Sequence, residues 1–336
     1  SPGQSFGGRE DAGGSPKDPQ FDRRGQPVTG YVGWVFQEDA NQIFPERGIG
    51  LTPNLSEAFA DAAIEVIERK DEKPFFLHVN FTAPHDPRFF PKGFEQTYEP
   101  MRMPLPKNFA AEHPFDHGNL RGRDEVLLPR PLREDDVREE LACYYALITH
   151  LDAQIGRMLT ALERTGRRDN TIVIFTSDHG LAIGSHGLTG KQNMYEHTIG
   201  VPLLMSGPCL RSGAKITAPC YLRDLFPTIC ELCGIDIPPN IDGRSLKPAL
   251  DGWAGSNEFV VGYFQDAQRM IRTDRWKLIR YPKIGREQLF DLQVAPAERH
   301  NLVAVPESQP IAEELRRRLQ QWLADHSDPL SSPNER

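Results

Sequence analysis

The sequence predicts an α/β fold: a mostly parallel sheet flanked by helices, followed by a small C-terminal α+β subdomain. Three observations point there. Short apolar runs alternate with long segments of helical periodicity, as strand–helix–strand units require. The run TIVIFTSDHG passes from apolar residues straight into Asp178 and His179, as a buried strand does on leaving a core. Beyond about residue 255 the texture changes to the short alternating runs MIRTDRWKLIRYP and EQLFDL and a terminal amphipathic stretch.

Residues 1–50 are rich in Gly, Pro and Asp without sustained period and read as an irregular segment. The α/β domain is expected over 51–255. It opens on a helix, with Leu55, Ala58, Phe59, Ala62, Ala63, Val66 and Ile67 at helical spacing and Asn54 and Glu57 placed as a variant capping box. Residues 75–81 read as a buried strand that stops at Thr82, Ala83, Pro84 and His85. Residues 86–134 are Pro-rich and mostly irregular. From Asp135 a long helix follows, with Val137, Leu141, Tyr144, Ile148, Leu151, Ile155, Met158 and Leu162 in steps of three and four and Gly166 as its stop. Strands are expected over 171–176 and 201–205, and a helix over 222–233. Residues 256–336 form the subdomain, with Ile311, Leu315, Leu319 and Trp322 marking its helix.

The 336 residues carry a formal net charge of −8. That argues against a nucleic-acid partner, which needs basic surface. No apolar run reaches the ~20 residues of a membrane-spanning helix. The five cysteines are an odd count, so a disulfide framework cannot pair them all. Cys230 and Cys233 form a CxxC within DLFPTICELCG, read as one apolar face of a short helix ending at Gly234.

Ligands of open α/β sheets bind beyond the carboxyl ends of the strands, and two segments place polar groups there. One ends in Asp178 and His179, a carboxylate and an imidazole that can both bind a divalent metal; the alternative is that Asp178 caps loop amides and His179 packs on it. The other ends in His85, held between two prolines and able to protonate a leaving oxygen or bond an anion. Lys191, after a glycine-rich loop, offers a point charge to an anionic substrate, or is a solvated surface lysine. His186, Glu196 and His197 are candidates to support the site's ligands from behind, or structural residues, and the structural reading is favoured.

Six segments in order resemble the sulfatase family of the alkaline-phosphatase superfamily: PFFLHVNFTAPHDP, YYALITHLDAQIGRML, IVIFTSDHG, GKQNMYEHTIGVPLLMSGP, DLFPTICELCGIDIPPNIDGRSL, and RTDRWKLIRY with LFDL. They span residues 50–305. The resemblance implies a sulfate-ester hydrolase acting on a sulfated small molecule or glycan, with a divalent cation, usually Ca2+. It implies that Asp178 and His179 are metal ligands, and that His85 and Lys191 bind the sulfate and assist the leaving oxygen. It favours a periplasmic or secreted location. His179 stands where many members carry Asn, which also admits a phosphonate monoester or phosphodiester hydrolase. A non-catalytic protein that binds anionic glycans through Lys191 and His85 is a further alternative.

The family's nucleophile is a formylglycine made from Cys-x-Pro-x-Arg or its Ser equivalent, and neither pattern occurs in this chain. The family's N-terminal Asp-Asp metal pair has no counterpart either; Asp135-Asp136 opens a helix and reads as capping charge. The expectation is therefore an N-terminally truncated sulfatase whose fragment alone is inactive.

Overall fold

The computed structural model describes residues 55–71, 73–253, 255 and 257–331, and the strands β1 (Gln4–Gly8), β2 (Trp34–Glu38) and β3 (Ile43–Ile49). These three strands form an antiparallel sheet in the order β1-β2-β3. The expectation of an irregular segment over 1–50 is corrected to that extent: its apolar runs, WVF and IF, are short but pair with one another. Asn54 lies outside the described residues.

The chain divides into two compact units, residues 1–104 with 134–171, and residues 105–133 with 172–336. Their boundaries differ from the expected 51–255 and 256–336, because contacts group residues 105–133 and 172–255 with the C-terminal strands and residues 1–50 with the first unit.

In the first unit, α1 (Leu55–Ile67) buries Leu55, Ala60, Ala63 and Ile67 and packs on α2 (Glu134–Arg164). The buried face of α2 includes Glu140, His150 and Gln154 beside Val137, Leu141, Ala142 and Ala146. Each of these polar groups has a partner, as burial demands. Glu140 accepts from Arg88 at 2.5 Å, His150 Nε2 lies 3.2 Å from Glu57, and Gln154 bonds Arg157 at 2.7 Å. Gly166, at φ 69, ends the helix region.

Residues 75–81 correct the expectation of a buried strand. Burial alternates along them, with Phe75, Leu77, Val79 and Phe81 turned partly inward and Phe76, His78 and Asn80 exposed. The segment is extended, and Phe81 packs edge-on against Phe59 at 5.9 Å. It joins no ladder among the described residues, and Phe76 is 78% exposed. Sequence periodicity reports the pleat; it does not supply the neighbour that a strand needs.

In the second unit, β4 (Val173–Thr176) pairs antiparallel with β5 (Leu203–Ser206), from Val173 opposite Ser206 to Thr176 opposite Leu203. The alternation of elements predicts parallel neighbours. Here the link between the strands holds only a four-residue helix, α3 (Glu196–Ile199), so the chain returns rather than crossing over. Beyond β5 come α4 (Leu225–Leu232), preceded by a 3₁₀ turn over Leu222–Asp224, and α5 (Lys247–Leu250). Cys230 is buried in α4, Cys233 is exposed, and all five cysteines are free thiols.

The C-terminal strands form a meander of β6 (Val260–Phe264), β7 (Gln268–Arg272), β8 (Trp276–Tyr281) and β9 (Arg286–Asp291), antiparallel throughout. Its two faces are both covered. Val261, Ile271, Leu278 and Leu289 pack on Ala312, Leu315, Leu319 and Leu323 of α6 (Gln309–Asp325). Met270, Ile279, Tyr281 and Phe290 pack on Ala182, Leu188, Met194 and Tyr195. The meander therefore backs the segment that carries Lys191.

Candidate metal centre and anion site

β4 delivers Ser177, Asp178 and His179 to its carboxyl end. Asp178 is 81% exposed at its side chain; its Oδ1 accepts from the His179 amide at 2.9 Å. His179 Nδ1 lies 2.9 Å from the Gly180 carbonyl, which can only accept, so in the neutral ring Nδ1 carries the proton and Nε2 the lone pair. Nε2 faces Asp178 Oδ2 at 3.4 Å. An imidazole lone pair and a carboxylate oxygen held face to face, with the second ring nitrogen fixed by a backbone carbonyl, suit a shared cation. The donor set thus fits the divalent ion that the sequence implies, as two of its ligands. Among the described residues no group of three or more His, Cys, Asp or Glu forms a ready cage.

Gly180 is required by close approach. A Cβ there would lie 2.0 Å from the His197 carbonyl oxygen and 3.0 Å from its carbon, and the Gly180 amide donates to Thr198 O at 2.7 Å. Both partners are backbone in and around α3, which cannot swing aside. Gly180→Ala is expected to cost about 1–3 kcal/mol and to weaken divalent-cation binding, because the displaced turn follows directly on His179. Urea unfolding and cation titration of the variant check both effects.

The loop before α3 places Lys191. Ala182 donates to Gly190 O at 3.0 Å, tying the loop to the segment that follows Gly180. A second clamp comes from the 3₁₀ turn Arg123–Val126. The buried Glu125 accepts from the amides of Thr189 at 2.8 Å and Gly190 at 3.1 Å and pairs with Arg130 at 3.0 Å; Arg130 also donates to Gly187 O at 2.5 Å. Lys191 Nζ stands 3.9 Å from Asp124 Oδ2, which also accepts from Gln192 at 2.8 Å. Burial raises the pKa of Asp124, but the Gln192 bond and the charges of Lys191 and Arg123 outweigh it and hold this carboxyl below its ordinary range. Lys191 is therefore a placed charge, about one-fifth exposed, rather than a solvated surface lysine.

Behind this loop lies an aromatic cluster. His186, at φ 53, stacks on Tyr195 with centroids 3.9 Å apart, and Tyr195 stacks on His197 at 5.7 Å. His113 Nε2 lies 3.1 Å from Tyr195 Oη. Burial pushes His186 and His117 down to about 4 and His197 well below its ordinary value. Glu196 binds Arg272 at 3.2 Å and Lys277 at 2.6 Å. These neighbours support the loop, in line with the structural reading of His186, Glu196 and His197.

His85 belongs to the first unit. Its Nδ1 donates to Asp86 O at 2.6 Å, with Asp86 Oδ1 3.4 Å away, and its amide donates to Thr82 O at 2.9 Å. Arg88 Nε donates to Pro84 O at 3.0 Å while its guanidinium binds Glu140, so this segment is fixed to α2. The structure thus groups Asp178, His179 and Lys191 within one unit and places His85 in the other. Sequence reasoning missed Asp124, Glu125 and Arg130. They sit in a stretch read as irregular, and only the amide acceptor role of Glu125, visible in three dimensions, marks them.

Comparison with known proteins decides the family. The profile described as Sulfatase matches residues 8–235, two-thirds of the chain, and that described as N-sulphoglucosamine sulphohydrolase, C-terminal, matches residues 184–325. The chain belongs to the sulfatase family. An arylsulfatase of Clostridium perfringens (strain 13 / Type A) is 31% identical over 282 residues, covering 81% of this chain and 58% of that protein. A choline-sulfatase of Rhizobium meliloti (strain 1021) is 33% identical over 252 residues, covering 71% and 48%. The chain thus spans about half the length of these curated sulfatases. Among solved structures, a protein in complex with its substrate D-glucosamine-2-N,6-O-disulfate aligns with a TM-score of 0.75 at 22% identity, over 95% of this chain and 79% of that one. A phosphonate monoester hydrolase of Agrobacterium radiobacter aligns at 0.71 and 24% identity, over 83% and 62%. These likenesses bear out the sulfatase-type α/β fold class.

Proposed function

We propose that this chain supplies part of the active site of a sulfate-ester hydrolase whose substrate is a sulfated small molecule or glycan. The observation that carries this reading is the opposed pair of Asp178 Oδ2 and His179 Nε2, 3.4 Å apart at the end of β4. The sulfatase relatives support it.

The roles follow from the chemistry of the groups. Asp178 and His179 would hold a divalent cation, and when bound it supplies positive charge to the sulfate oxygens. The resemblance names Ca2+; the carboxylate also suits manganese and the imidazole nitrogen zinc. Lys191 offers its ammonium to the sulfate and to the charge that develops on the departing oxygen. The Asp124 carboxylate and the Glu125 clamp hold that ammonium and its loop in place before substrate arrives. His85 would bond the sulfate or protonate the leaving oxygen. Its Nδ1 proton is already given to Asp86 O, so a donor role for Nε2 requires the doubly protonated ring. The chain contains no Cys-x-Pro-x-Arg or Ser equivalent, so we place the nucleophile outside it and expect no turnover from this chain alone.

Calorimetric titration with Ca2+, Mn2+ and Zn2+ tests the cation site. Asp178→Ala and His179→Ala are each expected to weaken binding at least tenfold; equal affinity in both variants overturns the assignment. Turnover of 4-nitrophenyl sulfate against bis(4-nitrophenyl) phosphate by the whole protein tests the ester. Predominant phosphodiester turnover would select the second reading, a phosphonate monoester or phosphodiester hydrolase, which His179 in place of Asn admits. Saturable binding of sulfated oligosaccharide without any turnover by the whole protein would select a non-catalytic binder.

A further inference from the structure

A second basic site lies apart from Lys191 and the Asp178–His179 pair. A cavity of about 460 Å³ is lined by Lys107, Ala295, Pro296, Ala297, Arg299 and His300. Its size falls in the range of small-molecule sites. The chain carries a net charge of −8, and most of its buried cations are matched by carboxylates, as Lys277 and Arg269 are. Lys107, Arg299 and His300 instead form no hydrogen bond or ion pair with any described residue. Three basic side chains left unmatched around one concavity concentrate positive potential there.

The walls of the cavity are built, not incidental. Glu298 adopts φ 53, a left-handed conformation uncommon for a residue with a long side chain. That turn sends the Glu298 carboxylate inward to Lys277 Nζ at 2.7 Å and to the Glu196 amide at 2.7 Å, while the next two residues, Arg299 and His300, stay exposed. The opposite wall is joined to the same loop, because Asn108 Nδ2 donates to Ala297 O at 3.1 Å beside Lys107. Ala295, Pro296 and Ala297 make a small apolar floor between the basic groups.

We propose that this cavity is a binding subsite for an acidic saccharide, with Lys107, Arg299 and His300 on a sulfate or carboxylate group and the apolar floor against the ring. The planar guanidinium of Arg299 pairs with either oxyanion through two parallel bonds, and Lys107 adds a point charge. The choice of a saccharide rests on the function proposed above; the oxyanion site rests on its own residues.

The test titrates this chain with N-acetylglucosamine 6-sulfate, glucuronic acid and unsubstituted N-acetylglucosamine, by calorimetry at fixed salt. Saturable binding of the sulfated or the carboxylated sugar, and not of the uncharged one, is expected, and the tighter of the two identifies the oxyanion. Lys107→Ala and Arg299→Ala, both at exposed positions, should each weaken it roughly tenfold, while Lys283→Ala, an exposed lysine outside the cavity lining, should leave it unchanged. No saturable binding of either acidic sugar, equal binding of the uncharged sugar, or affinity indifferent to Lys107 and Arg299 would overturn the subsite. Binding lost with Lys191→Ala alone would also overturn it, moving the ligand to the sulfate site and leaving the hydrolase reading intact.

Discussion

Lys277→Ala is expected to destabilise the C-terminal unit by about 3–5 kcal/mol, the usual cost of removing one member of a buried ion cluster. Lys277 is fully buried in β8. Its ammonium meets Glu298 Oε1 at 2.7 Å, Glu196 Oε1 at 2.6 Å and the Met194 carbonyl at 3.1 Å. Removal strands Glu298, whose carboxyl burial already holds above its ordinary range despite the nearby ammonium. Glu196 keeps Arg272, so Glu298 bears most of the loss. Lys277→Met/Glu298→Gln should recover a substantial part of the stability, because it restores volume and removes the orphaned charge. Urea unfolding followed by tryptophan fluorescence, with both single variants, closes the cycle. A Lys277→Ala variant within 1 kcal/mol of the parent would show that the cluster contributes little. The same variant frees the Met194 carbonyl, so the loop bearing Lys191 should exchange its amide protons faster.

Stability of this unit should also fall between pH 6.5 and about pH 4. Burial, reinforced by the charge of His113 at His117 and at His186, holds both imidazoles at about 4. The unfolded chain takes up these protons as pH drops through 6.5, whereas the folded chain resists until about 4. The contribution is therefore complete above pH 6.5 and is lost as pH falls through that window. At pH 5 each histidine costs about 2 kcal/mol. Glu125 and Glu298 act in the opposite sense. Burial raises their carboxyls, so the fold takes up their protons before the unfolded chain and regains part of the loss. Four depressed imidazoles, His113 and His197 included, outnumber two raised carboxyls, so the net sign is destabilising. Denaturant midpoints at pH 7 and pH 5 measure it, and His186→Phe, which preserves the stack on Tyr195, should flatten the slope. Equal midpoints at the two pH values would refute the prediction.

How much of this was legible in the sequence follows from the range of each interaction. The helices were, because α1, α2 and α6 carry their burial pattern in local spacing. The buried row of α2 nevertheless takes in Glu140 and His150, whose partners Arg88 and Glu57 lie far away in sequence. Residues 75–81 show the same limit in reverse: their alternation is local and visible, but a ladder requires a neighbour. Asp178, His179 and Lys191 could be singled out because a strand end and a glycine-rich loop are local signals. Asp124 and Glu125, which hold that loop, look like ordinary surface acids until the amides of Thr189 and Gly190 are seen to point at them. Lys107 and Arg299 are equally mute, nearly two hundred positions apart along the chain.

The C-terminal meander is a partition one residue thick: Ile271, Leu278 and Leu289 face α6, and their immediate neighbours Met270, Ile279 and Phe290 face the segment of Met194 and Tyr195. Any change of bulk on the helix side must be absorbed by strands whose reverse side shapes the lysine loop. The tail helix and the chemistry-bearing loop therefore cannot drift independently over evolutionary time, and exchanging this C-terminal region between relatives should succeed only when residues 182–195 travel with it.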